Sequence, residues 1–207
     1  MKCVVLKKYS VIMSFGILIT VLLLILPTGS VVNSININPM TRITTNEQKV
    51  ALSVNVYKDT DVDSVLNALN DTKATFFISE AFELQNGDKV KEIILHGHTI
   101  GILEEYIEGI TSIEISDRLA ERIEKLSYLT GKNCKLVRFM KNSYDKNCLK
   151  TVFSLGLITV QWSADDTSDF LESGDIVLLT GEGDMSEFIK KIIADGFETE
   201  TVDGLIF

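Results

Sequence analysis

Short β-rich runs alternate with helical patterns from Lys49 to the C-terminus, and this order constrains the fold of the 207-residue chain more than any other feature. Residues 74–79 are apolar on both faces of the predicted strand, as in strands that are buried within a parallel sheet. Each intervening helix can supply the crossover that two parallel strands need. The alternation therefore predicts an α/β fold, and the number of units indicates a distorted or incomplete (β/α) barrel.

Periodicity and capping residues place the individual elements. Thr111 and Glu114 have the spacing of a capping box, and Gly131 is a typical helix stop, so we expect a long helix between them. The other predicted helices are residues 61–70, 88–95, 144–155 and 185–194. The predicted strands are residues 50–56, 74–79, 99–103, 135–139, 157–162, 175–179 and 198–202.

Residues 1–30 form a hydrophobic segment that is separate from these units. Three lysines, Lys2, Lys7 and Lys8, precede an uncharged run at residues 9–26. As a helix this run would span about 27 Å, close to the hydrocarbon core of a bilayer at about 30 Å. Positive charge on the leading side alone favours an orientation with the N-terminus inside and the rest outside. We therefore expect one N-terminal hydrophobic helix that anchors the protein in the membrane, or alternatively a signal segment that is cleaved to give a secreted domain.

A polar segment at residues 31–48 is expected to act as a spacer before a domain at residues 49–207. The chain has 20 basic and 29 acidic residues, and three of the basic residues lie in the first thirty, which leaves 17 against 29 beyond them. Nucleic acids and anionic polymers repel such an acidic domain, so we expect no nucleic-acid partner. Neutral glycans and basic proteins remain as candidate partners.

The two cysteines of the domain are expected to be unpaired. Cys134 should begin the strand at residues 135–139, whose far end lies about 16 Å away, and Cys148 should lie near that far end. A disulfide tolerates a Cα separation of up to about 7 Å. Two half-buried thiols are therefore favoured, and a disulfide stays open as the alternative.

Three segments, in this order and spacing, resemble the polysaccharide deacetylases, also known as the NodB-homology domain or carbohydrate esterase family 4. They are ATFF at residues 74–77, GHTIG at residues 97–101 and GLITVQW at residues 156–162. The resemblance extends over residues 49–207. It implies a distorted or incomplete barrel of the polysaccharide deacetylase type and, in active members, metal-dependent N-deacetylation of a glycan.

The resemblance also implies where the metal should be bound, and the chain departs from the family there. The family's first strand ends in TFDDG, in which a base Asp precedes a metal-binding Asp, and Asn55 and Val56 stand at these positions. An H-x-x-x-H pair completes the family's metal site, and Leu103 and Ile107 stand at its two positions. A catalytic zinc site needs three protein ligands, and Val56, Leu103 and Ile107 offer none, so we expect no metal and no cofactor.

Two further family positions concern proton transfer and substrate. Arg138 matches the Arg of the family's R-P-P-Y motif, and Thr180 replaces the His that acts as general acid. Neither the carboxamide of Asn55 nor the hydroxyl of Thr180 exchanges a proton at a useful pKa. Trp162 stands where the family has a groove aromatic, so it either stacks on a sugar or packs in the core.

Histidine is also too scarce for the family chemistry. That chemistry uses three histidines, and this chain has two in total, His96 and His98. A two-histidine metal pair on the third strand is one interpretation of their spacing. A helix-terminal His beside a packed His is the favoured one.

Polar residues at the predicted C-terminal ends of the strands could form a different site, because barrel sites form at this edge. They are Glu104, Glu105, Arg138, Asp165, Asp166, Asp169, Glu182 and Asp184. One interpretation is a cation site or an acid/base pair. The favoured one is a solvated acidic rim with Arg138 paired to a carboxylate. Trp162, Arg138 and Asp165 are the candidate substrate-binding residues.

These patterns predict an extracytoplasmic, polysaccharide deacetylase-like pseudoenzyme that binds a neutral cell-wall glycan or an envelope protein. The alternative is an active carbohydrate hydrolase or deacetylase with an altered site built from the rim carboxylates. A third hypothesis is a structural role in an envelope assembly, with an exposed apolar patch at residues 103–110 as the interface.

Overall fold

The computed structural model describes residues 37–207. Its strands are β1 (Lys49–Val56), β2 (Thr75–Ser79), β3 (Thr99–Glu104), β4 (Leu136–Phe139), β5 (Ile158–Thr159), β6 (Ala164–Asp165), β7 (Ile176–Leu179) and β8 (Glu198–Glu200). Its α-helices are α1 (Val62–Leu69), α2 (Glu80–Gln85), α3 (Gly87–Leu95), α4 (Ser112–Thr130), α5 (Lys146–Ser154), α6 (Met185–Ala194) and α7 (Val202–Ile206), and a 3₁₀ turn covers Met140–Asn142.

The strands form one parallel sheet that curls into a half-barrel. Their order is β5-β4-β3-β2-β1-β7-β6, and β8 pairs with the start of β1. The strands at the two ends of this order, β5 and β6, are joined through residues 160–163 alone. Because an extended residue reaches at most about 3.6 Å, so short a link requires the sheet to curl until its ends approach each other. The predicted α/β fold and incomplete barrel are confirmed.

A short N-terminal strap, residues 40–43, closes the seam between the two ends of the sheet. The Met40 amide donates to the Thr159 carbonyl at 2.8 Å, and the Ile43 amide donates to the Gly174 carbonyl at 2.8 Å. Arg42 pairs with Asp175 as an isolated bridge and through its side chain. Part of the segment that the sequence assigned to a spacer therefore contacts the sheet directly.

Side chains alternate between two apolar clusters on the two faces of the sheet. The helix-side cluster includes Val54, Val56, Phe76 and Ile78 together with the buried faces of the helices. The cluster on the inner face, which we term the lumen cluster, consists of Ile43, Ala51, Phe77, Leu103, Leu136, Val160, Ile176 and Val202. Helix α7 closes the N-terminal end of the lumen, where the Val202 amide donates to Thr75 Oγ1 at 2.9 Å.

The elements agree with the sequence patterns where capping chemistry or a long period marks them. Both hydrogen bonds of the capping box between Thr111 and Glu114 are present, and Gly131 ends α4 with φ of 68°. Helices α2 and α7 were not predicted, because six and five residues are too few to show a helical period. The predicted strand at 198–202 is β8 followed by α7, with Thr201 as the helix cap.

Two further expectations concern the termini and the thiols. Cys134 and Cys148 are buried, free thiols. Among residues 37–207, no helix has the length and apolar character needed to cross a bilayer. The segment predicted to do so, residues 1–30, lies outside the described residues.

Candidate functional site

The inner face of the half-barrel is centred on Arg138, which β4 directs into the lumen. The side chain is fully buried. Its Nη1 donates to Asn55 Oδ1 at 3.0 Å, and its Nη2 donates to Ser53 Oγ at 3.0 Å. Its Nε lies 3.4 Å from the Val160 carbonyl oxygen. Two positions of the family motifs, Asn55 and Arg138, are thus in direct contact.

Aromatic rings cover the Arg138 guanidinium. Its central carbon lies 3.9 Å from the centre of the Phe77 ring and 5.5 Å from that of Trp162. Both distances are within the range of a cation–π interaction. Gly101 makes room for Phe77, because a Cβ at this position would stand 2.5 Å from the Phe77 ring. The second glycine of GHTIG therefore allows the Phe77 ring to lie beneath the Arg138 guanidinium.

The sequence predicted that a rim carboxylate would pair with Arg138. No carboxylate within residues 37–207 does so. Burial lowers the pKa of the guanidinium from 12.5 to about 9, although the nearby Tyr57 tends to raise this pKa. Arg138 therefore stays charged at neutral pH, and neutral groups accept its hydrogen bonds. An Asp at position 55 would have supplied the missing charge.

The positions that the family alignment assigns to the metal lie in three different environments. Val56 is fully buried in the helix-side cluster. Leu103 belongs to the lumen cluster, and Ile107 is 53% exposed and lines a separate groove. Apolar side chains in separate environments do not fit a zinc ion. Elsewhere in the described part of the chain, no group of three His, Cys, Asp or Glu residues is arranged to hold a metal.

Local hydrogen bonds occupy several of the rim carboxylates. Asp166 accepts hydrogen bonds from the amide and hydroxyl of Thr180 at 2.9 and 2.6 Å. Asp165 accepts from the amide and hydroxyl of Thr167 at 3.0 and 2.6 Å, and these bonds hold its pKa below the usual value. Asp184 caps α6. These three carboxylates therefore stabilise turns and a helix end.

The remaining sequence candidates are spread over the same edge. Glu105, Asp169 and Glu182 are exposed. Trp162 is half-buried against the lumen cluster. Its ring thus belongs to the packing around Arg138, and its use in sugar stacking stays a prediction.

His96 and His98 lie at the opposite end of the sheet, just before β3. His98 is buried, and its Nδ1 accepts the Ala74 amide at 3.2 Å. Burial lowers the pKa of His98 from 6.5 to about 4, so the ring is neutral at physiological pH. His96 caps the end of α3. This is the arrangement of a helix-terminal His beside a packed His.

An open cleft of about 570 Å³ lies at the C-terminal ends of β1, β2 and β3. We call it the rim cleft. Its lining consists of Tyr57, Lys58, Asp59, Thr60, Ser79, Glu80, Ala81, Leu103, Glu104, Glu105, Arg118, Arg122 and Met140. Two of these residues belong to the family motifs: Leu103 stands at a metal position, and Met140 follows Arg138 in the segment that matches R-P-P-Y. The cleft is therefore a concave surface that adjoins positions of the family motifs, at the edge of the sheet where barrel sites form.

The floor of the rim cleft is a buried ionic network that the sequence did not indicate. Glu104 contacts Arg118, and Arg122 Nη1 lies 3.7 Å from Glu104 Oε2. Arg122 also donates to Glu83 Oε2 at 2.7 Å and to the Ile78 carbonyl at 2.7 Å. Two arginines and two glutamates form a group without net charge. The only sequence signal was the spacing of Arg118 and Arg122, one turn apart beside the apolar stripe of α4.

A sequence model of the polysaccharide deacetylase family matches residues 42–160. No curated protein is significantly similar to the chain.

Among solved structures, a wild-type CE4 family pseudoenzyme from Bacillus anthracis is 20% identical, with a TM-score of 0.73 over 83% of this chain and 69% of its own. A mutant of that protein is described as having restored enzymatic activity. A family 4 carbohydrate esterase from Bacillus anthracis is 19% identical, with a TM-score of 0.74 over 82% of this chain and 87% of its own. The Bc1960 peptidoglycan N-acetylglucosamine deacetylase is 21% identical, with a TM-score of 0.72 over 80% of this chain and 91% of its own.

Proposed function

Since the chain belongs to the polysaccharide deacetylase family, we propose that it is a non-catalytic member whose domain lies outside the membrane and binds a cell-envelope glycan. The observation that carries this proposal is the buried Arg138, which donates to the carboxamide of Asn55 at 3.0 Å. A carboxamide accepts a hydrogen bond but does not take a proton from water near neutral pH. The base position is therefore filled by a group that supports the fold and not the reaction.

The other components of deacetylation are missing in the same way. A metal would need donors at positions 56, 103 and 107, where the side chains are Val56, Leu103 and Ile107. Thr180, at the position of the general acid, is an exposed hydroxyl that donates to Asp166. Base, metal ligands and acid are thus replaced together. A pseudoenzyme among the structural neighbours supports the view that the fold persists without catalysis.

The rim cleft supports the binding part of the proposal. Its volume of about 570 Å³ lies within the range of ligand pockets, which is about 300–1,000 Å³. Polar and charged side chains line most of it, as suits a polyhydroxylated ligand. An envelope protein is the other partner that the sequence allows.

The location rests on the sequence alone. Residues 1–30 carry three lysines before an uncharged run and no acidic residue, which favours an anchor with the domain outside. A protease-protection experiment on intact cells, with an antibody against the domain, tests this orientation. Protection of the domain in cells that remain intact would contradict it.

Acetate release and glycan binding by the purified protein test the function. We expect no acetate from N-acetylated glycan oligomers when zinc or cobalt is offered in excess, together with measurable binding of an envelope glycan by calorimetry. An active family member serves as the positive control for the assay.

Release of acetate would overturn the proposal. If Glu104→Ala or Asp165→Ala then abolished that release while the variant stayed folded, the activity would be assigned to the rim carboxylates. Absence of both activity and glycan binding would direct the search to an envelope protein, beginning with the patch that includes Ile107.

A further inference from the structure

Among the described residues that line the rim cleft, Tyr57 is the one aromatic residue. None of the three residues that the sequence predicted to bind substrate, Trp162, Arg138 and Asp165, belongs to this lining. Arg138 is fully buried, and Trp162 packs against the lumen cluster. A ligand in the cleft therefore meets the ring of Tyr57 and not that of Trp162.

The Tyr57 ring is accessible to such a ligand. The residue is 46% exposed and directly follows β1. Two hydrogen bonds fix its backbone: the Tyr57 amide donates to Thr60 Oγ1 at 2.9 Å, and the Thr60 amide donates to the Tyr57 carbonyl at 3.1 Å. A tyrosine on a fixed turn offers a large contact surface and loses little conformational entropy on binding, because its side chain has few torsions to order.

The surface of the cleft around Tyr57 is partly apolar and partly polar. Leu103 is 1% exposed and Met140 is half-buried, and both line the cleft. The exposed charged residues of the lining are Lys58, Asp59, Glu80 and Glu105. A sugar ring matches this combination, because its faces carry C–H groups that pack on an aromatic ring, whereas the hydroxyl groups at its edge both donate and accept hydrogen bonds.

The sequence of β1 places this aromatic residue at a family motif. The family's TFDDG ends in glycine, and Tyr57 stands at that position. A glycine has no side chain to offer a ligand, whereas a tyrosine offers a ring. The motif that has lost its base and its metal ligand, at Asn55 and Val56, has thus gained a group suited to binding.

We propose that Tyr57 is the sugar-binding platform of the rim cleft, and that its ring stacks on one face of a pyranose in a neutral β-1,4-linked glycan. Sugars of the glucose configuration suit this contact, because their ring substituents are equatorial and axial C–H groups cover both faces. The ligand is uncharged, so the net negative charge of the domain does not oppose its binding. The inference rests on the proposed glycan binding and specifies the contact and the class of glycan.

Calorimetric titration of the full-length chain in detergent with the β-1,4-linked tetrasaccharide of N-acetylglucosamine tests the proposal. Tyr57→Leu keeps an apolar side chain and removes the ring, so we expect the affinity to fall about tenfold, as for the loss of one stacking contact. Tyr57→Phe keeps the ring and removes the hydroxyl, so its affinity should stay within about twofold of the wild type.

Tyr128→Leu is the matched control, because Tyr128 is an 89% exposed tyrosine of α4 outside the cleft. It should leave the affinity unchanged, and added salt should change the wild-type affinity little, since the contact involves no charge. Nitration of the wild-type protein, followed by peptide mass spectrometry, provides a second measurement that needs no variant. Saturating tetrasaccharide should slow the nitration of Tyr57 and leave that of Tyr128 unchanged.

The other outcomes separate this inference from the proposed function. Wild-type affinity in Tyr57→Leu, or an equal loss in Tyr57→Phe, would overturn stacking on the ring and leave glycan binding in place. Nitration of Tyr57 at the same rate with and without bound tetrasaccharide would do the same, and so would binding that weakens steeply with salt. Absence of binding by the wild-type protein would overturn both the inference and the proposed function.

Discussion

At Arg138 the family's arginine is kept while the acid beside it is replaced by an amide. The fold supports the buried cation with two rings and with hydrogen bonds to Asn55 Oδ1 and Ser53 Oγ, each at 3.0 Å. Neutral acceptors compensate a buried charge less well than a carboxylate does. Arg138 is therefore less well compensated beside Asn55 than it would be beside a carboxylate.

The variant Asn55→Asp should stabilise the domain. The two side chains have the same shape, and the carboxylate would meet Arg138 in a buried, charge-assisted hydrogen bond worth about 1–3 kcal/mol. We expect the free energy of unfolding in urea to rise by about that amount at neutral pH. Asn55→Leu, which removes the acceptor, should shift it in the opposite direction. A less stable Asp variant would show that Arg138 is already fully compensated.

The sequence predicted these residues but not all of their surroundings. Motif alignment put Asn55 and Val56 in one site, whereas their side chains lie on opposite faces of β1. Alternation along the predicted strand at residues 50–56 places the two side chains on opposite faces, but the family alignment, and not the alternation, was used to assign them to one site. The amide partner of Arg138 was equally hidden, because Asn55 and Arg138 are 83 residues apart.

Helix α4 is attached to the sheet by a charged residue in addition to its apolar stripe. Arg122 is 3% exposed and joins Glu83 of α2, Glu104 of β3 and the carbonyl of Ile78 in β2. A single side chain thus connects three elements beneath the rim cleft. Because it neutralises two buried carboxylates, its removal leaves both charges without this partner.

Replacement of Arg122 by Met should be strongly destabilising. We expect a loss of about 3–5 kcal/mol in the free energy of unfolding, as for other buried ion pairs that lose one partner. Lys125→Met, three residues further along α4, is the control, because Lys125 forms an exposed pair with Glu121. Its stability should change little. Similar losses for both variants would mean that helix propensity, and not the buried network, is responsible.

Among the helices and strands, the features that the sequence predicted correctly are those that depend on local chemistry. The capping box, the Gly131 stop and the bounds of α6 were read from the sequence because they depend on neighbouring residues. The network around Arg122 depends on the packing of α2 against α4 and β3, which no local pattern reports. The helix α2 that provides Glu83 was itself missed, so the floor of the cleft could not have been predicted.

For the whole molecule, closure of the half-barrel depends on the strap at residues 40–43. Ile43 is 7% exposed and lies in the lumen cluster, so the strap contributes packing as well as hydrogen bonds. Arg42 adds an ion pair to the buried Asp175, whose carboxylate also accepts hydrogen bonds from Ser163 Oγ and from the Glu172 amide. The strap therefore packs with the half-barrel although it precedes β1 in the chain.

Truncation of Ile43 should reveal the contribution of the strap to global stability. Ile43→Ala in the full-length chain is expected to cost about 2–4 kcal/mol, because it removes buried methyl groups and leaves a cavity. The neighbouring Thr44→Ala changes an exposed side chain and should stay within about 0.5 kcal/mol. A thermal or urea transition of the purified protein measures both. Equal effects would show that the strap is a passive linker.

The position of the strap also determines how the domain would respond to mechanical load. A pull applied to the chain at Ile37 reaches the sheet first through Met40 and Ile43, which are bonded to opposite sides of the seam. Tension would therefore separate the seam before it reached β1, β2 and β3, whose ends form the rim cleft. A domain pulled at its N-terminal end would therefore yield first at the strap, with the rim cleft still assembled.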